Sequence, residues 1–564
     1  MYEEIRAAME LIVGGLRVPV EADGPGEYLK AAALRLDVAE TELKVVRILS
    51  KSLVFSDPQQ FYYELSLVIS VPDGHENKDK FPVYAGKPAA SAISPRQTSS
   101  LASSQEISPS DRLSPRTAAA RAGQRPVIIG FGPAGMFAAL ELIAHGLKPL
   151  IFERGKRLEE RHADVGRMLS GRTLDTESNI QFGEGGAGAY SDGKLFSRPN
   201  NSAYARKALG TFIRFGAPPE IMYVGKPHLG TDVLRRIVAN IRDYVLEHGG
   251  EIHYGSKMTE LLIAEGKASG VVINGSAQYP ACAVYLAIGN SARDTFALLH
   301  QKGVSLESKP ISAGVRVEHS AKTINLLRYG AKYAGFPGIG AAAYSFNSTN
   351  RKTGRGAYTF CMCPGGEVVN ASSEQGGLVL NGMSYSARDS AFSNSAIAVT
   401  CRTEDYGSAH PLAGIEFQKE IERRAFVAGG GDWKAPAQNL RDFLSGTPSA
   451  AIISNSYKMG TRSADLSALF PSFITEALRS AFREWEIQCP AFVGEDAVLM
   501  GPETRTSSPV RIKRGADFQS VNIRNLYPIG EGSGYSGGIT SSSIDAIKAV
   551  EASMGPFRES SPHC

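Results

Sequence analysis

The run VIIGFGPAGMFAAL, from Val127 to Leu140, restricts the fold of this chain more than any other stretch. A short β-branched strand leads into Gly130-Phe131-Gly132-Pro133-Ala134-Gly135 and then straight into an apolar, Ala-rich helix pattern. In such a strand–turn–helix unit the first glycine permits the turn and the second lets backbone approach a pyrophosphate. The third lets helix and strand pack closely. Unpaired N–H groups and the helix dipole make the helix N-terminus an anion site. Gly130, Gly132, Pro133, Ala134 and Gly135 are therefore candidate dinucleotide-binding residues. The run LKPLIF that follows reads as a second strand, ending at Glu153, 18 residues after Gly135. An acidic residue there suits a ribose 2′-OH and repels a 2′-phosphate, an inference that Arg154 next door softens.

A chain of 564 residues is too long for one core and points to about three or four domains. Hydrophobic residues make up 43% and charged residues 21%, as in ordinary globular proteins. A net charge of +4, from 61 basic and 57 acidic residues, implies neither nucleic acid nor a membrane surface. No apolar run reaches the roughly 18 residues that span a bilayer. The start MYEEIRAAME lacks the basic-then-apolar pattern of a signal peptide. Six cysteines in this length argue for a reducing compartment, so the expectation is a cytoplasmic protein.

Residues 1–76 read as a small α+β domain of the ferredoxin-like kind: strands over 9–20, 43–55 and 61–71 and a helix over 27–36. Seven Lys/Arg against twelve Asp/Glu in residues 1–73 oppose RNA binding. Residues 77–124 read as a disordered linker; seven of the 21 residues from Gln97 to Thr117 are Ser. Residues 125–304 form the first part of the dinucleotide-binding domain. They include the amphipathic helix TDVLRRIVANIRDYVLEHGG and an apolar run ending at Gly289. A mixed, Gly-rich substrate or cap domain covers 305–500. Residues 501–564 return to the dinucleotide domain through NLYPIGEGSGYSGG and a closing helix.

The Gly turn, Glu153, AIGN at 287–290 and YPIGEG at 527–532 together resemble the two-dinucleotide-binding-domain flavoproteins with a glutathione-reductase-type FAD fold. Three passages carry a narrower likeness to the uncharacterised FAD-dependent dehydrogenases of many bacteria: QFGEGGAGAYSDGKL from Gln181, TFCMCPGGEVVNASSEQGGLVLNGMS from Thr359, and ETRTSSPVRI from Glu503. The resemblance implies an α/β architecture: a Rossmann-like FAD/NAD(P)-binding domain with an inserted mixed, β-rich substrate domain. It implies non-covalent FAD, with Gly530 and Glu531 serving the ribityl-phosphate part and Gly537, Gly538, Ile539 and Thr540 placing a helix N-terminus beside the flavin. The implied activity is that of an FAD-dependent oxidoreductase, a dehydrogenase moving a hydride between flavin and a small-molecule substrate. A flavin monooxygenase and a non-catalytic flavoprotein with a docking N-terminal domain are the alternatives.

Residue by residue, Gly185, Gly186, Gly188, Asp192, Gly193 and Lys194 can wrap backbone amides around the flavin or its phosphates. Lys194, His228 and Arg505 are candidate catalytic residues on chemistry alone. Arg505 and Arg511 suit a carboxylate substrate, but a solvated charged loop is the favoured reading of Glu503 to Ser507. Cys361 and Cys363 share one face of a strand and read better as buried small hydrophobes than as a redox dithiol. A lone Cys-x-Cys is no zinc signature, so no metal is expected. Gly338 to Ala343 lacks a preceding strand and an acidic partner. That leaves NAD(P)H open only as a transient electron donor.

Overall fold

The computed structural model describes residues 9–72, 74–77, 79–84, 124–195 and 202–555. The expected linker lies mostly outside them. Two compact units emerge: the N-terminal residues together with 222–227 and 336–339, and the remainder from residue 114 on.

In the N-terminal unit, β1 (Glu10–Pro19), α1 (Pro25–Leu36), β2 (Lys44–Val54) and β3 (Tyr62–Ser70) form an antiparallel sheet, order β1-β3-β2, under one helix. Leu11, Val13, Leu16 and Val18 all point inward because a bulge between Val13 and Leu16 resets the alternation. Tyr28, Ala32, Ala33 and Leu36 of α1 close that core. This is a βαββ arrangement, less than the ferredoxin-like expectation. A short antiparallel bridge of Val83 to Leu11 takes the fourth edge, and the described residues place no second helix there.

The second unit begins with β4 (Arg125–Ile129), α2 (Pro133–Ala144), β5 (Leu150–Phe152), α3 (Leu158–Gly171), α4 (Ala203–Arg214), α5 (Gly230–Glu247) and β6 (Glu251–His253). A meander of β7 (Met258–Ala264), β8 (Lys267–Ile273) and β9 (Ala277–Leu286) follows, then α6 (Arg293–Gln301). The sheet order is β6-β5-β4-β9-β8-β7, parallel from β6 to β9 and antiparallel through the meander. Val127 lies between Leu150 and Val284, all three apolar, as a strand covered on both faces requires.

A second seven-stranded sheet holds the site's other wall. The chain through this region runs β10 (Leu306–Ser308), β11 (Ile311–Ser320), α7 (Ala321–Tyr333), β12 (Asn347–Thr349), β13 (Gly356–Cys363), β14 (Glu367–Asn370), β15 (Leu380–Met383) and β16 (Phe392–Cys401), of which β10 pairs with β20 and β14 with β15 outside that sheet. Then come α8 (Ala413–Ala428), β17 (Ala435–Asn439), α9 (Leu440–Ser445), β18 (Thr461–Ser463), α10 (Ser472–Gln488) and β19 (Val498–Glu503). The order across the sheet is β12-β13-β16-β11-β19-β17-β18, with β11 central and buried from Ile311 to His319. The sequence boundary at 500 thus falls inside β19. The chain returns through β20 (Val510–Ile512), pairs β21 (Leu526–Pro528) parallel to β9, and ends in α11 (Ile539–Met554), which packs on α2. Among the described residues no helix is long and apolar enough to cross a membrane. None of them forms a group of three or more His, Cys, Asp and Glu side chains fit to hold a metal ion.

Candidate active site

The Gly turn divides its labour. Gly130 has φ +99°, and a side chain there would collide with the Ala287 carbonyl. At Gly135 it would collide with the Gly130 carbonyl oxygen, so this glycine sets the approach of helix to strand. Gly132 differs: a Cβ would sit 3.5 Å from Gly186 Cα, in ordinary contact, and the residue lines a cavity together with Pro133 and Ala134. Pro133 opens α2, where its missing N–H costs nothing.

Glu153 ends β5 as expected and lines the same cavity, but its carboxylate also organises the backbone. Oε2 accepts from Phe131 N at 2.8 Å, and Oε1 accepts from Gly155 N and Gly183 N, each at 2.9 Å. A carboxylate has about four acceptor positions, so one remains. Arg154 stacks 4.0 Å over Phe182 and pairs with Glu177 and Asp294.

Two buried charged residues that sequence reasoning missed shape the loop from 175 to 190. Arg161 is fully buried, and its guanidinium donates to the carbonyls of Asn179, Ile180, Gly183, Glu184 and Gly186 at 2.7–3.3 Å. Glu184, also fully buried, accepts from Tyr254, Leu158 N and Arg242. A signal for Arg161 was present: Leu158, Arg161, Val165 and Met168 recur at helical spacing, and a cation on an apolar stripe needs acceptors. Held this way, Gly186 and Gly188 line the cavity, whereas Gly185 packs on Val238 behind it.

The return segment supplies the next wall. Gly289 and Gly537 line the cavity with open space where a side chain would be, beside Gly538 and Ile539 at the start of α11. Glu531 accepts from Asn290 Nδ2 at 3.0 Å, and burial pushes its pKa up to about 7 against the opposing pull of Lys309 and that hydrogen bond. Gly530 (φ +71°) and Thr540 stand behind the wall. A Cβ on Gly530 would lie 2.5 Å from Ala134 Cβ, and the Thr540 hydroxyl donates to Leu195 O at 2.9 Å.

At the far end the cavity is polar. Lys194 Nζ meets Asp192 Oδ2 at 2.8 Å; burial opposes its charge, but Cys363 and Asp192 outweigh that and raise its pKa. Asp192 is buried and also takes the Ser384 hydroxyl and Arg388 (2.8 Å). Burial alone would raise its pKa, and Lys194, Arg388 and His228 hold it well below the usual carboxylate range. Gly193 lines the cavity beside them. His228 does not: it sits 3.4 Å from the Ser384 hydroxyl, and burial, aided by Arg388, lowers its pKa to about 4.

Two sequence readings need correction here. Cys361 and Cys363 are not a pair of buried hydrophobes. Positive φ at Cys361 (+43°) and a bulge between Phe360 and Cys363 break the strand alternation, and both residues line the cavity with Cys361 exposed. Nor is Glu503 to Ser507 a solvated loop. Glu503 is 4% exposed and paired with the fully buried Arg316. Arg505 is spent on Glu422 (2.9 Å), Ser373 (2.7 Å) and Ser291 (3.1 Å), in a network Glu422 shares with Arg293. Arg511 lies elsewhere, on Glu307 across the β10–β20 pair, so the two arginines do not form one clamp.

All these walls enclose one cavity of about 470 Å³, within the range of cofactor sites. Its donor set fits FAD. Two helix N-termini, of α2 and α11, open onto it; glycines keep the backbone bare; and Glu153 and Glu531 offer acceptors to hydroxyls.

Comparison with known proteins agrees. The family model described as FAD-dependent protein, C-terminal domain-like, matches residues 310–506. An uncharacterized protein of Clostridium beijerinckii is 43% identical over 435 residues, covering 77% of this chain and 81% of its own. Among solved structures, similarity is found to the glycerol-3-phosphate dehydrogenase from Bacillus halodurans complexed with FAD (11% identity, 76% of this chain and 64% of that one, TM-score 0.34). CtdE in complex with FAD and substrate 4 (12% identity, 76% and 80%, TM-score 0.31) and the halogenase PltM (12% identity, 76% and 68%, TM-score 0.35) are also similar. By its relative's identity over most of both chains and by the matching family model, this chain belongs to the family of FAD-dependent proteins, and FAD is its cofactor.

Proposed function

We propose that the protein is a cytoplasmic FAD-dependent oxidoreductase that moves a hydride between a small-molecule substrate and non-covalently bound FAD. The observation that carries this reading is convergence: the Gly turn, the 183–194 loop, Gly289 and the Glu531–Ile539 return line one cavity whose far end is polar. Gly132, Pro133 and Ala134 at the start of α2 would hold the pyrophosphate, and the remaining acceptor position of Glu153 the adenosine ribose. Glu531 would take the ribityl chain, and the α11 N-terminus would favour negative charge on the flavin. When bound, FAD supplies a two-electron acceptor or donor of hydride. The chain's own part is to orient the substrate against it and to exclude water. Purified protein should show flavin absorbance, or gain it on mixing with FAD. An anaerobic screen of candidate donors should then find one that bleaches it. Protein that never takes up flavin overturns the reading.

A further inference from the structure

The polar end of the cavity contains more than is needed to hold a dinucleotide. Glu503 arrives on β19 with its carboxylate buried yet lining the cavity. One oxygen, Oε2, is fixed by Arg316; Oε1 accepts no hydrogen bond from the described residues. Arg316 is itself locked, donating to Asn394 Oδ1 at 3.0 Å and to Cys361 O at 2.9 Å. Cys363 Sγ lies between two cations, 3.8 Å from Arg316 Nη2 and 3.9 Å from Lys194 Nζ, which ties Lys194 to the same end as Glu503. Asp192 faces two cations, Lys194 and Arg388. Of these, Lys194 is the one that lines the cavity, with its side chain 38% exposed. An ammonium has three donors; Asp192 and Cys363 engage two of those on Lys194, which leaves one for a bound anion.

We propose that Glu503 and Lys194 form the substrate-handling pair of this site: Lys194 holds a small carboxylate and Glu503 takes a proton from it. The step is a proton transfer alone. The O–H or N–H bond next to the carbon to be oxidised breaks, the proton goes to Glu503 Oε1, and the electron pair stays on the oxygen or nitrogen. The fixed Arg316 contact keeps Oε1 aimed outward, which makes Arg316 a positioning residue. His228 and Arg505 are not needed, the first standing behind Asp192 and the second consumed by Glu422. This assignment rests on the oxidoreductase reading above and adds to it a substrate class and a proton acceptor.

The groups facing Glu503 are Arg316 from β11, Lys194 from the loop ahead of α4, and Cys361 from β13. Burial lifts the Glu503 pKa despite the opposing pull of Arg316. Its negative charge, gained as pH rises, should therefore oppose a bound anion. Acetate serves as the probe, titrated into the FAD-loaded full chain across pH and followed by the flavin spectrum and by calorimetry. Wild-type affinity should fall as pH rises through the Glu503 pKa. The near-isosteric Glu503→Gln should remove that dependence while keeping flavin. Lys194→Gln should weaken acetate about tenfold or more at every pH, and Lys194→Arg should recover most of the loss. Absence of acetate binding, an unchanged pH dependence in Glu503→Gln, or unchanged affinity in Lys194→Gln overturns the assignment. Protein without flavin instead fails the reading on which it rests.

Discussion

Gly132 and Gly135, three residues apart in one turn, do different work, and single substitutions separate them. Gly135 faces the Gly130 carbonyl, so Gly135→Ala must push α2 off β4. It should cost about 1–3 kcal/mol, read as a lowered Tm. Gly132 has room for a Cβ against Gly186 but lines the cavity. Gly132→Val should leave Tm nearly unchanged and abolish flavin retention, measured as flavin absorbance per chain after desalting. Glu531 makes a pH prediction. Its pKa is raised from 4.5 to about 7, so its contribution to stability is present below 4.5 and is lost as pH rises to about 7. In FAD-free protein, Glu531→Gln should therefore gain Tm relative to wild type across that interval. A flat difference would contradict the raised pKa.

At the scale of elements, the loop from 175 to 190 has almost no regular structure of its own and relies on α3 for its shape. Arg161→Met keeps an unbranched apolar stem but removes the guanidinium and strands up to five carbonyls. It should destabilise the unit by about 3 kcal/mol or more and loosen flavin, checked by denaturation and by FAD dissociation. The contrast with the Gly turn explains what a sequence discloses. The glycines at 130–135 meet distant partners too, but the strand–turn–helix unit they serve is built from consecutive residues, so their spacing is the message. Arg161, Glu184 and Arg316 act on partners brought close only by the fold, so their pattern in the chain is nearly silent. Cys361 and Cys363 mislead for a third reason: period-two alternation presumes an unbroken strand, and a positive φ at Cys361 sends the pair to the cavity. Asp232 and the stripe of Leu234, Ile237, Val238, Ile241 and Val245, by contrast, fall in α5 as the periodicity implies.

For the whole molecule, the division into two units carries a prediction. The residues lining the 470 Å³ cavity, from Ile129 to Ser542, belong to the second unit. A chain lacking residues 1–123 should bind FAD with the stoichiometry of the full chain, measured by absorbance and protein assay. Loss of flavin would assign the N-terminal unit a part in the site. The pairing of β21 with β9 has a different consequence. Leu286 and Pro528 are neighbours in the sheet but about 240 residues apart in the chain, a separation that makes closure slow. While the polypeptide is still being synthesised, the Gly turn has long left the ribosome and the flavin-side wall does not exist. The complete pocket therefore forms only once the return segment has been made and paired, and until then the Gly turn faces a site with one wall missing.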